Sequence, residues 1–167
     1  MPAKNNGDVI GIIYPILHDH CQRLLEDGKD VFVKFVPRRP SMLRPGSRLF
    51  FYESGGKKQI VGEAKIIDLT DGTLEEVLRK FSDRLFLTRE ELERYAGERR
   101  TSKMLVCVVS DVKRYNTPLR FGRSLTMAGQ YMTKKMRKSL RPAVRPARPE
   151  TQTGPMRPFR PLEFSLC

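Results

Sequence analysis

The chain has 167 residues, 39% apolar and 31% charged, which is enough for one domain with a packed core and an extra segment but short of two domains. Its formal net charge of +13 points to a polyanionic partner, nucleic acid before an anionic membrane. No apolar run approaches the roughly 18–20 residues that span a bilayer, and the first residues hold no signal-peptide core, so no membrane partner and a cytoplasmic location are expected.

Residues 8–13 (DVIGII) are rich in branched side chains and predict a short strand. Pro15 then suits the first turn of a helix. Its apolar face takes Ile16/Leu17, His20/Cys21 and Leu24/Leu25, and Gly28 stops it. His18 and His20 lie two apart on that helix and point in different directions, which disfavours a metal pair. Residues 31–36 predict a strand, followed by a basic, turn-rich loop with Arg38, Arg39, Pro40 and Arg44-Pro45-Gly46. Residues 47–53 (SRLFFYE) predict a second strong strand, and Gly55-Gly56 a hairpin turn into residues 59–68 (QIVGEAKIID). Gly62 inside that strand signals a bulge or a close backbone approach. Thr73-x-x-Glu76 and Thr88-x-x-Glu91 have the form of capping boxes and predict two short helices, the second closed by Gly97. Residues 103–110 (KMLVCVVS) read as a strand buried on both faces, and residues 118–126 (PLRFGRSLT) as a final strand.

Residues 134–167 are a different polymer. They hold nine basic residues (Lys134, Lys135, Arg137, Lys138, Arg141, Arg145, Arg148, Arg157 and Arg160) against Glu150 and Glu163, and six of the twelve prolines. Five prolines directly follow an arginine. Proline removes an amide donor and pushes the preceding residue out of the helical region, so beyond its first few residues this segment is neither helix nor central strand. An extended, self-repelling, polyproline-like arm is expected. It ends in an apolar cluster, Phe159, Leu162, Phe164 and Leu166, suited to anchoring on the body or on a neighbouring protein.

Cys21, Cys107 and Cys167 show no C-x-x-C spacing, which excludes a zinc ribbon or finger. Cys21 and Cys107 sit in apolar surroundings and read as small buried hydrophobes. No P-loop, G-x-S-x-G or HExxH sequence is present, and no metal or cofactor is expected.

Five or six strands with short intervening helices indicate an α+β domain: a small, mixed, strongly bent β-sheet or pseudo-barrel over residues 1–133, followed by an extended basic C-terminal arm over 134–167. DVFVKF (30–35), LRPG (43–46), FYES (51–54), IVGEA (60–64), LFLTREEL (85–92) and MAGQYMT (127–133) together resemble an archaeal family of uncharacterised proteins. That family belongs to the PUA-like group, with the PUA, ASCH and EVE domains. The likeness spans roughly residues 8–133 and implies a PUA-like fold that binds RNA or modified bases. ASCH domains carry a motif like Gly-x-Lys-x-x-Glu-x-Arg, and some are amidohydrolases acting on acylated cytidine. Here Gly28 and Lys29 keep the start of a similar pattern, with Phe32 in place of the Glu and Lys34 in place of the Arg; the substitution at Phe32 argues against that chemistry. Glu63 is the remaining candidate carboxylate.

Two sets of residues follow. A catalytic alternative gathers Lys29, Lys34, Tyr52, Ser54 and Glu63 around the Gly55-Gly56 turn, with a desolvated lysine as base and Glu63 orienting it. The simpler alternative makes Lys34 and Glu63 an ordinary cross-strand pair. The binding set comprises Arg38, Arg39, Arg44, Lys57, Lys58, Lys113, Arg114, Tyr115, Arg120 and Arg123, together with the nine basic residues of the arm. Arginine matches phosphate bidentately and stacks on bases, and Tyr115 or Phe121 either stacks an unpaired base or packs in the core. Contacts should fall mainly on phosphate and shape. The expectation is a non-enzymatic RNA-binding protein of ribonucleoprotein type, a ribosomal or ribosome-associated chain holding rRNA, with neighbouring ribosomal proteins met through the terminal apolar cluster. Its alternatives are an ASCH-type amidohydrolase, marked by a deep pocket with Lys29 or Lys34 beside Glu63, and a modified-base regulator, marked by an aromatic cage near Tyr52.

Overall fold

The computed structural model describes residues 8–55 and 57–143. Gly56, the basic Arg145, Arg148, Arg157 and Arg160, and the apolar cluster of Phe159, Leu162, Phe164 and Leu166 lie outside the described residues. In chain order the elements are β1 (Val9–Leu17), α1 (His18–Leu25), β2 (Val31–Lys34), β3 (Arg48–Ser54), β4 (Gln59–Gly72), α2 (Leu74–Phe81), α3 (Arg89–Ala96), β5 (Met104–Arg120), β6 (Gln130–Thr133), α4 (Lys134–Ser139) and β7 (Arg141–Pro142).

The strands form one mixed, bent, unclosed sheet in the order β2-β5-β4-β3-β1-β6, with β7 added to β5. β1 runs parallel to β3, and the other pairings are antiparallel. The long β4–β5 ladder slips register between Ile60 and Gly62, between Glu63 and Lys65, and between Ile66 and Asp68. Each slip is a bulge or irregularity, and bulges bend and twist a strand pair, so the ladder curls instead of lying flat. Asp111 on β5 sits at φ +49° inside this stretch.

Several predicted boundaries move; β2 stops at Lys34 instead of residue 36, and β4 runs on to Gly72. β1 continues through Pro15 to Leu17, and α1 begins only at His18. Pairing of β1 with β6 ends at Ile13, so beyond it β1 is an edge on that side, where a missing amide is tolerated. The strand expected over 118–126 is instead the end of β5, which runs unbroken to Arg120; the last strand beside β1 is β6. The two capping boxes form as predicted, with Thr73 and Thr88 each accepting from the backbone of the glutamate three residues on. Gly97 closes α3 at φ +53°.

The sheet buries a layer on each side. α1, α2 and α3 cover the face of β3 that carries Leu49 and Phe51, where Cys21, Leu24, Phe32, Val77, Leu92 and Cys107 pack. Both thiols are buried and free, and burial pushes each up to about 12. Phe50 and Tyr52 face the other side with Ile13, Ile60, Phe121 and Met132, and Met136 and Leu140 pack onto that cluster.

Candidate functional site

A cleft of about 580 Å³ opens between the end of β1, α1, β2, the segment at Phe86 and Leu87, and α3. The rings of His20, Phe32, Phe86 and Tyr95 line its wall, and Tyr14 stacks behind Phe32. Tyr14 stacks on Phe32 at 5.7 Å, Phe32 on Phe86 at 5.2 Å, and His20 meets the Phe86 ring edge-on at 5.7 Å. Such rings give a flat ligand apolar area with little loss of side-chain freedom. Leu17 and Met127, both exposed, form part of the rim.

Lys34 is the cleft's unusual group. Its residue is 4% exposed, its Nζ lies 5.1 Å from the centre of the Tyr14 ring, and among the described residues no carboxylate pairs with it. Burial alone pulls its ammonium down to about 8. A buried charge without an anion is costly, so an acceptor entering the cleft gains a strong, charge-assisted hydrogen bond. The cleft's own carboxylate, Glu91, is already committed. It accepts two bonds from the Arg23 guanidinium and one from the Thr88 amide, with His20 Nε2 at 3.7 Å. The Arg23 guanidinium is the main reason its carboxyl falls to about 2.

The catalytic set proposed from sequence does not assemble. Lys34 and Ser54 line the cleft. Lys29 instead donates to the Asp83 carbonyl at 2.8 Å. Tyr52 packs edge-on against Phe121 and donates to the Arg123 carbonyl, so the aromatic cage sought near it is absent among the described residues. Glu63 stands opposite Phe50 and Lys113 in the ladders, on the other face of the sheet. Nor are Lys34 and Glu63 a cross-strand pair, because β2 pairs with β5 and brings Lys34 against Leu105. Sequence reasoning passed over the cleft's aromatic and acidic lining: Phe86 lies between α2 and α3, Tyr95 in the last turn of α3, and Glu91 read only as a cap.

The binding set divides by occupancy. Arg39 donates to the Leu69 carbonyl and pairs with Asp71. Arg114 reaches Gln22 on α1 and Glu26 just past its end. Tyr115 is half-buried, donates to Glu63 and packs against the second core cluster, to which Phe121 belongs. Arg48 donates to the same Glu63 carboxylate, with Arg137 at 3.9 Å from it. Arg38, Arg44, Lys57, Lys58, Lys113, Arg120, Arg123, Lys134, Lys135, Lys138 and Arg141 are exposed, and among the described residues none has an ion-pair partner.

A bent, unclosed mixed sheet with short helices is the fold this chain shares with solved ASCH structures. The ASCH protein of Zymomonas mobilis aligns with a TM-score of 0.66 at 12% identity, over 77% of this chain and 92% of that one. Its S128A mutant gives 0.66 at 14%, over 78% and 94%. The N-terminal domain of McrB from Staphylothermus marinus gives 0.45 at 15%, over 71% and 81%. Residues 9–134 match the family described as Domain of unknown function (DUF365), and the chain belongs to that family. None of the curated proteins matches it in sequence.

Proposed function

We propose that the chain is an RNA-binding protein whose PUA-like body takes one unpaired base into the aromatic cleft while exposed arginines and lysines hold the phosphates around it. The observation that carries this reading is the cleft itself. A stacked run of rings ends beside a buried lysine that has no carboxylate partner among the described residues, in a chain of net charge +13. A planar base with a carbonyl acceptor satisfies both features at once, by stacking on the rings and by accepting from Lys34. In its finer form the reading is a cytoplasmic, ribosome-associated protein that holds rRNA. The density of unpaired basic side chains supports it, since stable association through phosphate needs many such contacts.

Sedimentation of a native lysate in moderate salt tests the finer form. The intact chain should travel with a ribosomal subunit, and a chain stopped after Ala143 should do so less. Intact protein left at the top of the gradient would remove the ribosomal reading.

A second reading is favoured by one observation. A lysine titrating near 8 inside a cleft is a competent general base, as an ASCH-type amidohydrolase would need. Turnover of acylated nucleosides by the intact chain, abolished in Lys34→Met, would support it; no turnover across such a series would sink it.

A further inference from the structure

The segment after β6 is fixed to the body, and its sequence pattern sets its outward face. On a helix advancing about 100° per residue, Met136 and Leu140 fall together and pack on the second core cluster. That places Lys134, Lys135 and Lys138 on the opposite arc, and all three are exposed. Arg137 lies on the flank. Its guanidinium sits over the Tyr115 ring at 5.5 Å, donates to the Tyr115 hydroxyl at 3.4 Å and stands 3.9 Å from Glu63. Thr133 caps the helix through the Met136 amide. Beyond it, Arg141 and Pro142 pair with Arg120 and Leu119, and the Ala143 amide donates to the Pro118 carbonyl at 2.7 Å.

This pairing sets two like charges side by side. Arg120 and Arg141 are direct cross-strand partners, both exposed, and among the described residues neither has a carboxylate. Like charges directly opposite on a ladder are destabilising, and an anion bound between them reverses the sign. None of Arg120, Lys134, Lys135, Lys138 and Arg141 lines the cleft. α4 covers the face of β3 that carries Phe50, whereas the cleft opens against the layer that contains Phe32 and Phe51.

We propose that Lys134, Lys135, Lys138 and Arg141, with Arg120 beside Arg141, form a second RNA contact separate from the cleft: a preset ridge that binds sugar-phosphate backbone, so that one chain bridges two segments of an RNA. The proposal rests on the RNA-binding reading and assigns the second partner surface. The ridge is cationic throughout and offers no aromatic platform, so its contacts fall mainly on phosphate. Glu63, placed by sequence among catalytic candidates, is here a positioning residue: it holds Arg48, Tyr115 and the Arg137 flank of α4 in one place.

The test uses the full chain and an RNA hairpin with an unpaired loop, and follows affinity against salt. For the wild type, binding weakens as salt rises. The triple variant Arg120→Ala/Lys138→Ala/Arg141→Ala should reduce the log–log salt slope by about 2, since each phosphate contact contributes about 0.7–0.9. Lys34→Met should weaken binding while changing that slope by less than about 1. All three substituted positions are exposed, and unchanged thermal unfolding checks that the triple variant still folds. A triple variant with the wild-type slope overturns the ridge and leaves the RNA-binding reading standing. A wild type that binds no hairpin even at about 50 mM salt overturns both.

Discussion

Gly62 on β4 and Lys113 on β5 touch backbone to backbone. A Cβ at Gly62 would stand 2.6 Å from the Lys113 carbonyl oxygen and 2.8 Å from a methyl carbon of Leu25. Main chain cannot yield as a side chain can, so Gly62→Ala must pry β4 from β5 at the bulge. A loss of about 1–3 kcal/mol in urea unfolding is expected. A loss under about 0.5 kcal/mol would mean the ladder accommodates the methyl group.

Lys34 gives a pH signature. Its ammonium titrates near 8 in the folded chain against an ordinary 10.5, so between those values the unfolded chain holds the extra proton. Stability therefore rises with pH across roughly 8 to 10.5, and the cost of the buried charge is fully present below 8. Lys34→Met should be more stable than wild type at pH 7, by up to about 3 kcal/mol, and the advantage should vanish by about pH 10.5. A gap constant over that range would show that Lys34 keeps its proton.

Glu91 has the opposite sign. Its carboxyl falls from 4.5 to about 2, chiefly through Arg23, so its contribution is present above 4.5 and is lost as pH falls through 2. Glu91→Gln should cost about 1–2 kcal/mol at pH 7, allowing for partial solvent screening, and that cost should be mostly gone by about pH 2. Calorimetric unfolding at a series of pH values reads the difference, and equal costs at pH 7 and pH 2 would contradict the pairing.

The Tyr14 hydroxyl is fully buried and has no hydrogen-bond partner among the described residues. An unmade bond of this kind costs about 1–3 kcal/mol, so Tyr14→Phe should leave stability unchanged or raise it by about 1 kcal/mol. Thermal unfolding decides; a drop of more than about 1 kcal/mol would reveal a partner for the hydroxyl.

How much of this was legible beforehand follows from what each signal depends on. The capping boxes at Thr73 and Thr88 and the close approach at Gly62 are local, and they read correctly from a few residues. Pro15 misled because its tolerance in β1 depends on where β6, more than a hundred residues later, stops pairing. The site failed for the same reason. Lys34 and Glu63 look like neighbours only if β2 and β4 pair, and nothing in either strand announces that β5 lies between them. Lys34 itself was readable as a candidate base. Its aromatic surroundings were not, because Tyr14, Phe32 and Phe86 come from three separate stretches of chain that meet only in the folded layer.

The place of β1 has a kinetic consequence. It is the first strand in the chain, yet its two neighbours are β3, in parallel, and β6, which pairs Thr133 with Val9. A chain made from its N-terminus exposes the apolar IGIIY segment long before residue 133 exists, and distant pairings form slowly because loop closure precedes any contact energy. Among the described strands, β1 thus waits for residues 130–133 before both its neighbours exist. In pulsed hydrogen exchange during refolding, amides of β1 and β6 should gain protection after those of the β4–β5 ladder, and until then this stretch is where a chaperone would act.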